Sequence, residues 1–358
     1  MAILAAVLNV NKEVFVKITL KETLLFIFIL GGAFTPAWAL VEVKGAGGVS
    51  EKPLAQSWIL GDSAVKLKYE SKNPADAVNQ LLGKGCDFAL ITAPLTAVQT
   101  KKAASQHLLF LPAALSAQAV VYNLPGVPSG ALKLTPAVLS DIFLGIIKKW
   151  DDPLLRKINP KLALPSIDIR VLHQSDESSM NDDFPSFLAR QNPKWTFKRE
   201  KDKNLHWPAG KNVNGNLKVY EKIRQWAGVI AVMNFSFAQE KGLPTAQIQN
   251  KSGRYVGPSN QGIVAAASEA DLLPGDKIVV LTENRNKKAY PLSEIVWAVV
   301  HQDYAKLYHN HNKGQALADF LNWLLSPDGQ AVISKDFYTP LPEKLLPQVQ
   351  AKIQLIQY

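Results

Sequence analysis

Ile167-Asp168-Ile169-Arg170-Val171-Leu172, running directly into His173-Gln174-Ser175-Asp176-Glu177-Ser178-Ser179 and then Asp182–Arg190, is the stretch whose reading decides the fold. The first six residues carry the alternating apolar pattern of a strand with one buried face. The next seven are polar and turn-prone, and a helix over Asp182–Arg190 is expected to follow. One strand, one loop and one helix make half of a parallel βαβ repeat.

The same rhythm extends in both directions. Upstream, Leu54–Leu60 and Ala77–Leu82 read as helices, and Phe88–Thr92 reads as the strand after the second. Ala119–Tyr122 is a strand ending at Asn123-Leu124-Pro125-Gly126, a turn signal at which the chain is expected to cross between lobes. Thr135–Phe143 is a helix with Thr135 as N-cap and Pro136 as first helical residue. Downstream, Val229–Val232 is a return strand and Ile295–Val300 is apolar enough for a central strand of the first lobe. Ala316–Leu325 is an amphipathic helix stopped by Ser326-Pro327-Asp328-Gly329. This alternation favours an α/β fold with mainly parallel sheets. At 358 residues the chain exceeds what one core of roughly 250–300 residues sustains, so two lobes are expected.

Apolar residues at 47% and charged residues at 20% exclude wholesale disorder and a multi-span membrane protein. Lys12, Lys17 and Lys21 precede the apolar run Leu24–Leu30, and Ala37-Trp38-Ala39 follows, the layout of a secretory signal peptide. Cleavage is expected after Ala39, giving residues 1–39 as signal peptide and an exported, periplasmic chain. Gly31, Gly32 and Pro36 leave too little apolar length for the ~20 residues of a membrane span. Removing three lysines and two glutamates with that segment takes the net charge from +10 to +9, so the basic balance belongs to the mature chain. Its lysines are scattered, without a basic stripe interleaved with aromatics, which disfavours nucleic acid as a partner.

Cys86 is the only cysteine, so no internal disulfide forms, and in the apolar run Cys86–Ile91 it reads as a core residue. None of the six histidines lies in a hydrolase or metalloprotease motif. His309-Asn310-His311 lacks a nearby third metal ligand and reads as a solvated loop. Gly45-Ala46-Gly47-Gly48 lacks the Gly-Lys-Ser/Thr ending of a phosphate loop. No enzyme, cofactor or metal is expected.

Gly45-Ala46-Gly47 followed by Pro53 and Trp58, then Ala93-Pro94-Leu95, Leu139–Gly145, Lys149–Pro153, Ile158-Asn159-Pro160, Trp207–Gly210, Gly215-Asn216, Trp323 and Leu341-Pro342 form a spaced series. In that series the chain resembles the periplasmic phosphate-binding proteins of ABC importers, from about residue 43 to about residue 350. The resemblance implies a two-lobed periplasmic-binding-protein fold of type II, each lobe a mainly parallel sheet flanked by helices, with a ligand held in the cleft. The expected division is 40–117 plus 238–358 for one lobe and 118–237 for the other. Phosphate or a related small oxyanion or polar solute is the expected partner of a monomer, with ABC-transporter permease subunits beyond it.

The resemblance also places the ligand site. Gln174, Ser175, Asp176, Ser178 and Ser179 fall on the family's ligand loop, Ser50 on its opening loop and Thr92 before Ala-Pro-Leu. Backbone N–H groups at a helix start, reinforced by hydroxyls, suit an oxyanion. This chain departs from the family at several of these positions. Gln174 replaces an arginine, Thr92 an aspartate and Met180 a threonine, while Asp176 and Ser178 are retained. Changing the arginine and the aspartate together neutralises the cleft as a set, because an unpaired buried charge costs several kcal/mol. Two readings stay open: a pocket for a less charged ligand, or an exported interaction or sensory protein that reuses the scaffold. Ser175 and Asp176 also suit a plain N-cap, and Ser50 and Thr92 plain loop positions.

Overall fold

The computed structural model describes residues 41–61, 65–92, 94–174, 180–195, 207–268, 281, 284–335 and 338–358. The expected signal peptide lies outside them. No helix among them is long and apolar enough to cross a membrane.

The strands are β1 (Glu42–Gly47), β2 (Lys66–Ser71), β3 (Phe88–Ile91), β4 (Leu108–Asn123), β5 (Lys133–Leu134), β6 (Arg170–Gln174), β7 (Lys211–Val213), β8 (Val229–Asn234), β9 (Gln247–Gln249), β10 (Tyr255–Val256) and β11 (Ser293–His301). Eight of them form one sheet in the order β2-β1-β3-β11-β4-β8-β6-β7, and β10-β9-β5 form a small second sheet. The eight-stranded sheet has a parallel trio at each end. β2, β1 and β3 run together, as do β8, β6 and β7. Between them β11 is antiparallel to β3 and β4, and β4 is antiparallel to β8.

β4 joins the two halves. Residues 108–117 pair with β11 and residues 118–123 pair with β8, so the strand exchanges partners between Ala117 and Gln118. The passage therefore lies inside the strand. Asn123-Leu124-Pro125-Gly126, read as the crossing, is a turn beyond it, closed by the Val127 N–H donating to the Leu124 carbonyl, with Gly126 at φ 76°. Fifteen of its sixteen residues are buried, which requires cover on both faces. The sequence showed only Ala119–Tyr122 because Pro112, Ser116 and Gln118 break the apolar run. Pro112 is accommodated at a bulge, where Val296 faces Ala114 and Trp297 faces Pro112 with Ala113 left over. On the return path, residues 244–246 bond β4 at Val120 and Tyr122, and β9 pairs with β5.

Each trio has its own aromatic core. Phe320 packs against Trp58 at 6.1 Å and Phe88 at 5.6 Å in one half. Phe143 meets Phe184 at 4.9 Å and Trp207 at 5.6 Å in the other. One aromatic cluster under each parallel trio, both within one continuous buried core, makes the α/β fold two-lobed.

Helices Lys52–Gly61, Pro74–Leu82 and Pro136–Phe143 stand where the sequence puts them, and Thr135 accepts a hydrogen bond from the Val138 N–H as cap. β6 begins three residues later than expected, because Ile167 and Ile169 bond instead to Trp150 and Lys148. It then continues through His173 and Gln174, read from sequence as loop, since these pair with β7. Helix His311–Leu324 starts five residues earlier than expected. Asn310 caps it by accepting from the Lys313 N–H, so His311 opens a helix and does not sit in a loop. Cys86 precedes β3 and is buried, and burial pushes its thiol up to about 12, an inert core group.

Asp87 fastens the first lobe. Its carboxylate accepts the Lys44 N–H at 2.7 Å and the Tyr304 hydroxyl at 2.7 Å, and pairs with the Lys313 ammonium at 2.8 Å. With Asp87 1% exposed, Asp87→Ala leaves an ammonium and a hydroxyl without their acceptor. The expected loss is about 3 kcal/mol of unfolding free energy, read as a lower urea midpoint with unchanged slope.

Candidate ligand-binding site

The strand register fixes where a site lies. Ile91, the last residue of β3, faces Trp297, which faces Pro112 of β4, while Asn234, the last residue of β8, faces Gln118. β3 and β8 run in opposite directions, so their carboxyl ends point at each other along β4. The six residue steps from Pro112 to Gln118 separate them by about 20 Å of strand. In open α/β sheets ligands lodge outside strand carboxyl ends. Here two such edges confront one another across a crevice floored by β4.

Ser50 and Thr92 belong to the first edge and Gln174 to the second. Gly47 at the end of β1 is in register with Leu90 of β3, so the loops carrying Ser50 and Thr92 leave neighbouring strands on one side. Both residues are buried, as is Gln174, the last residue of β6. Ser175, Asp176, Ser178 and Ser179 lie outside the described residues.

The second edge carries a chain of neutral amides. Gln174 Nε2 donates to Asn216 Oδ1, and Asn216 Nδ2 reaches Asn234 Oδ1 at 3.5 Å. Asn216 belongs to the first turn of helix Gly215–Gln225, and Asn234 is buried at the end of β8. At position 174 the chain has an amide already bonded to a neighbouring amide. Gln118 lies on the floor at 1% exposure, and neither its Oε1 nor its Nε2 has a hydrogen-bond partner among the described residues. A buried amide without a partner is costly, so this position suits a polar guest. Behind the edge, His173 stacks on Trp207 at 4.8 Å, and burial lowers its imidazole to about 4, leaving a neutral wall residue.

The first edge holds a carboxyl that sequence reasoning missed. Glu51 follows Ser50 and is 2% exposed. The Ser50 hydroxyl donates to its Oε1 at 2.7 Å, while Oε2 is buried without a hydrogen-bond partner among the described residues. A β-carbon at Gly48 would stand 2.1 Å from Oε2, so the carboxyl is seated where glycine alone leaves room. Tyr69 donates to the Gly48 carbonyl at 3.1 Å and Tyr338 to the Ser50 carbonyl at 2.6 Å, which pins the loop from both sides. Burial raises Glu51 to about 7, against the smaller opposing effect of the Ser50 hydroxyl and of the Glu51 and Gly48 backbone. Only the contrast of a carboxylate inside the apolar surroundings of Gly45-Ala46-Gly47-Gly48 hinted at it. Asn216 was legible as part of Gly215-Asn216, whereas Gln118 and Asn234 gave no signal, because amides in strands look like surface residues. No group of three His, Cys, Asp or Glu side chains gathers among the described residues.

Comparison with known proteins gives a consistent picture. Residues 35–328 match the family model described as PBP superfamily domain. The chain is 29% identical over 328 residues to phosphate-binding protein PstS of Pasteurella multocida, covering 90% of this chain and 93% of that protein. It is 30% identical over 315 residues to phosphate-binding protein PstS of Xylella fastidiosa (strain Temecula1), covering 87% and 84%. Among solved structures it is similar to an ancestral soluble variant of the human phosphate-binding protein, with a TM-score of 0.69 at 16% identity over 87% of this chain and 93% of that one.

The buried Glu51 sets a pH dependence. With an ordinary value of 4.5 and a folded value of about 7, the folded state holds the proton that the unfolded state releases between them. Stability is full below pH 4.5, falls as pH rises to about 7 and then levels. The expected loss is roughly 3 kcal/mol. Urea midpoints measured across that window for the wild type and Glu51→Gln should converge at low pH and separate above it. Parallel curves would mean that Glu51 ionises normally.

Proposed function

Because the chain belongs to the PBP superfamily and to the phosphate-binding proteins within it, we propose that it is the solute-capturing component of an ABC importer, exported and closing around phosphate or a related small oxyanion. The family is one of substrate-binding proteins and not an enzyme class, and we read this chain as non-catalytic. The observation that carries the proposal is the confrontation of two sets of strand carboxyl ends across β4, with Gln118, Gln174, Asn216 and Asn234 on the floor and one wall. Ser175, Asp176, Ser178 and Ser179, between β6 and helix Met180–Gln191, are proposed to supply hydroxyl and backbone donors, and Ser50 and Thr92 to close from the other edge. Division of the lobes at Ala117/Gln118 agrees with the partner exchange in β4. Cleavage after Ala39, a periplasmic location, a monomeric state and permease docking complete the reading.

A wall of amides favours a ligand of low charge over a fully ionised one, because Gln174 supplies no charge to offset an anion's desolvation. The bond between Gln174 and Asn216 also supports the rival reading, in which the scaffold is kept as an exported interaction or sensory protein and the pocket satisfies itself.

Thermal unfolding of the mature chain decides between the two. Phosphate at about 100 times its Kd is expected to stabilise the fold by ~2.7 kcal/mol, seen as a raised Tm. No shift with phosphate, arsenate or sulfate assigns the scaffold reading. Gln174→Arg restores a charged donor fork, and titration calorimetry should show phosphate bound at least about tenfold more tightly. Unchanged affinity would place the pocket elsewhere.

A further inference from the structure

The outer edge of the second lobe carries a groove that is separate from the crevice. It has a volume of about 800 Å³ and lies between the loop after helix Pro136–Phe143 and the run from β6 to β7. Its lining includes Lys148, Arg170, Lys211 and Trp226, and no carboxylate among the described residues. Lys222 Nζ stands 4.9 Å from the centroid of the Trp226 ring, Lys211 Nζ 5.7 Å and the Arg170 guanidinium 5.9 Å. Three cations therefore converge on one half-buried ring, with a fourth, Lys148, also in the lining. None of the four is ion-paired among the described residues.

The opposite edge of the same sheet is built differently. There Glu42 of β1 lies within 3.9 Å of Lys44, Lys66 and Lys68, and Glu70 pairs with Lys72 at 2.8 Å. Like charges brought together without a counterion repel one another, and the ring quadrupole offsets only part of that. The walls hold them there. Gly145 and Gly210 adopt φ of 71° and 100°, and β-carbons there would meet Ala209 at 2.8 Å and the Val171 carbonyl at 2.7 Å. The loop and the edge strand are thus locked by close backbone approach.

We propose that this groove is a second binding site, for a flexible chain of closely spaced phosphates, independent of what the crevice holds. The guanidinium of Arg170 offers paired donors to phosphate oxygens and the lysines offer point charges. A groove of this volume with cations on both walls exceeds the needs of a single anion. Nucleic acid is disfavoured by the ring itself, since base stacking needs a free aromatic face and three cations surround this one. A membrane surface is disfavoured because, among the described residues, Ile146 is the one strongly exposed large apolar side chain beside the groove, too little to insert.

Short-chain inorganic polyphosphate titrated into the mature chain tests the proposal. Binding that weakens steeply with salt is expected. The variant Lys148→Gln/Arg170→Gln/Lys211→Gln should bind about tenfold more weakly with a shallower salt slope. Lys211→Gln alone, an exposed position that does not threaten folding, should shift both in the same direction. Lys66→Gln at the paired edge should shift neither. Orthophosphate should not displace the polymer, and its effect on Tm should be the same in the groove variants as in the wild type, so failure here and failure of the crevice reading are told apart. Polyphosphate affinity untouched by the groove substitutions would overturn the proposal. So would anionic phospholipid vesicles or a single-stranded oligonucleotide binding the groove more tightly than polyphosphate.

Discussion

Everything in this molecule hangs on one strand that serves two lobes. β4 is buried from Leu108 to Tyr122 and gives its first ten residues to β11 and its last six to β8. Because backbone donors and acceptors must be satisfied wherever water is excluded, the strand commits both halves to a fixed register. That register turns the carboxyl ends of two parallel trios toward each other. The crevice is thus a consequence of pairing rules and needs no dedicated loop to shape it.

Within the crevice the described polar side chains are mostly amides. Gln174, Asn216, Asn234 and Gln118 provide donors and acceptors but no net charge, and the buried acid that does occur, Glu51, is held near neutrality by its surroundings. An arginine at position 174 without an acidic counterpart would bury an uncompensated cation whenever the crevice is empty. Amides avoid that cost by bonding to each other. The consequence is weaker electrostatic attraction for an anion and recognition that relies on hydrogen-bond geometry.

Positive charge is conspicuous outside the crevice. Along β2 and β1 four lysines share the carboxylates of Glu42 and Glu70, whereas around Trp226 the cations are gathered with no carboxylate partner among the described residues. Among the described residues unpaired cations therefore gather on one edge of one lobe, and scattered lysines in the sequence become a cluster only once β6, β7 and the helix Gly215–Gln225 are placed side by side.

The sequence by itself determined the α/β class, the helices at Lys52–Gly61, Pro74–Leu82 and Pro136–Phe143, and the family, because periodicity, caps and spaced motifs are local properties of the chain. It hid most of β4, whose Pro112 and Gln118 look like strand breakers until a bulge and a change of partner accommodate them. It left Glu51, Gln118 and Asn234 unmarked as site residues and could not bring Lys148 and Lys211 to one groove. Tertiary structure decided these, since burial, the raised pKa of Glu51 and the convergence of distant cations arise only from contacts between segments that the chain keeps far apart.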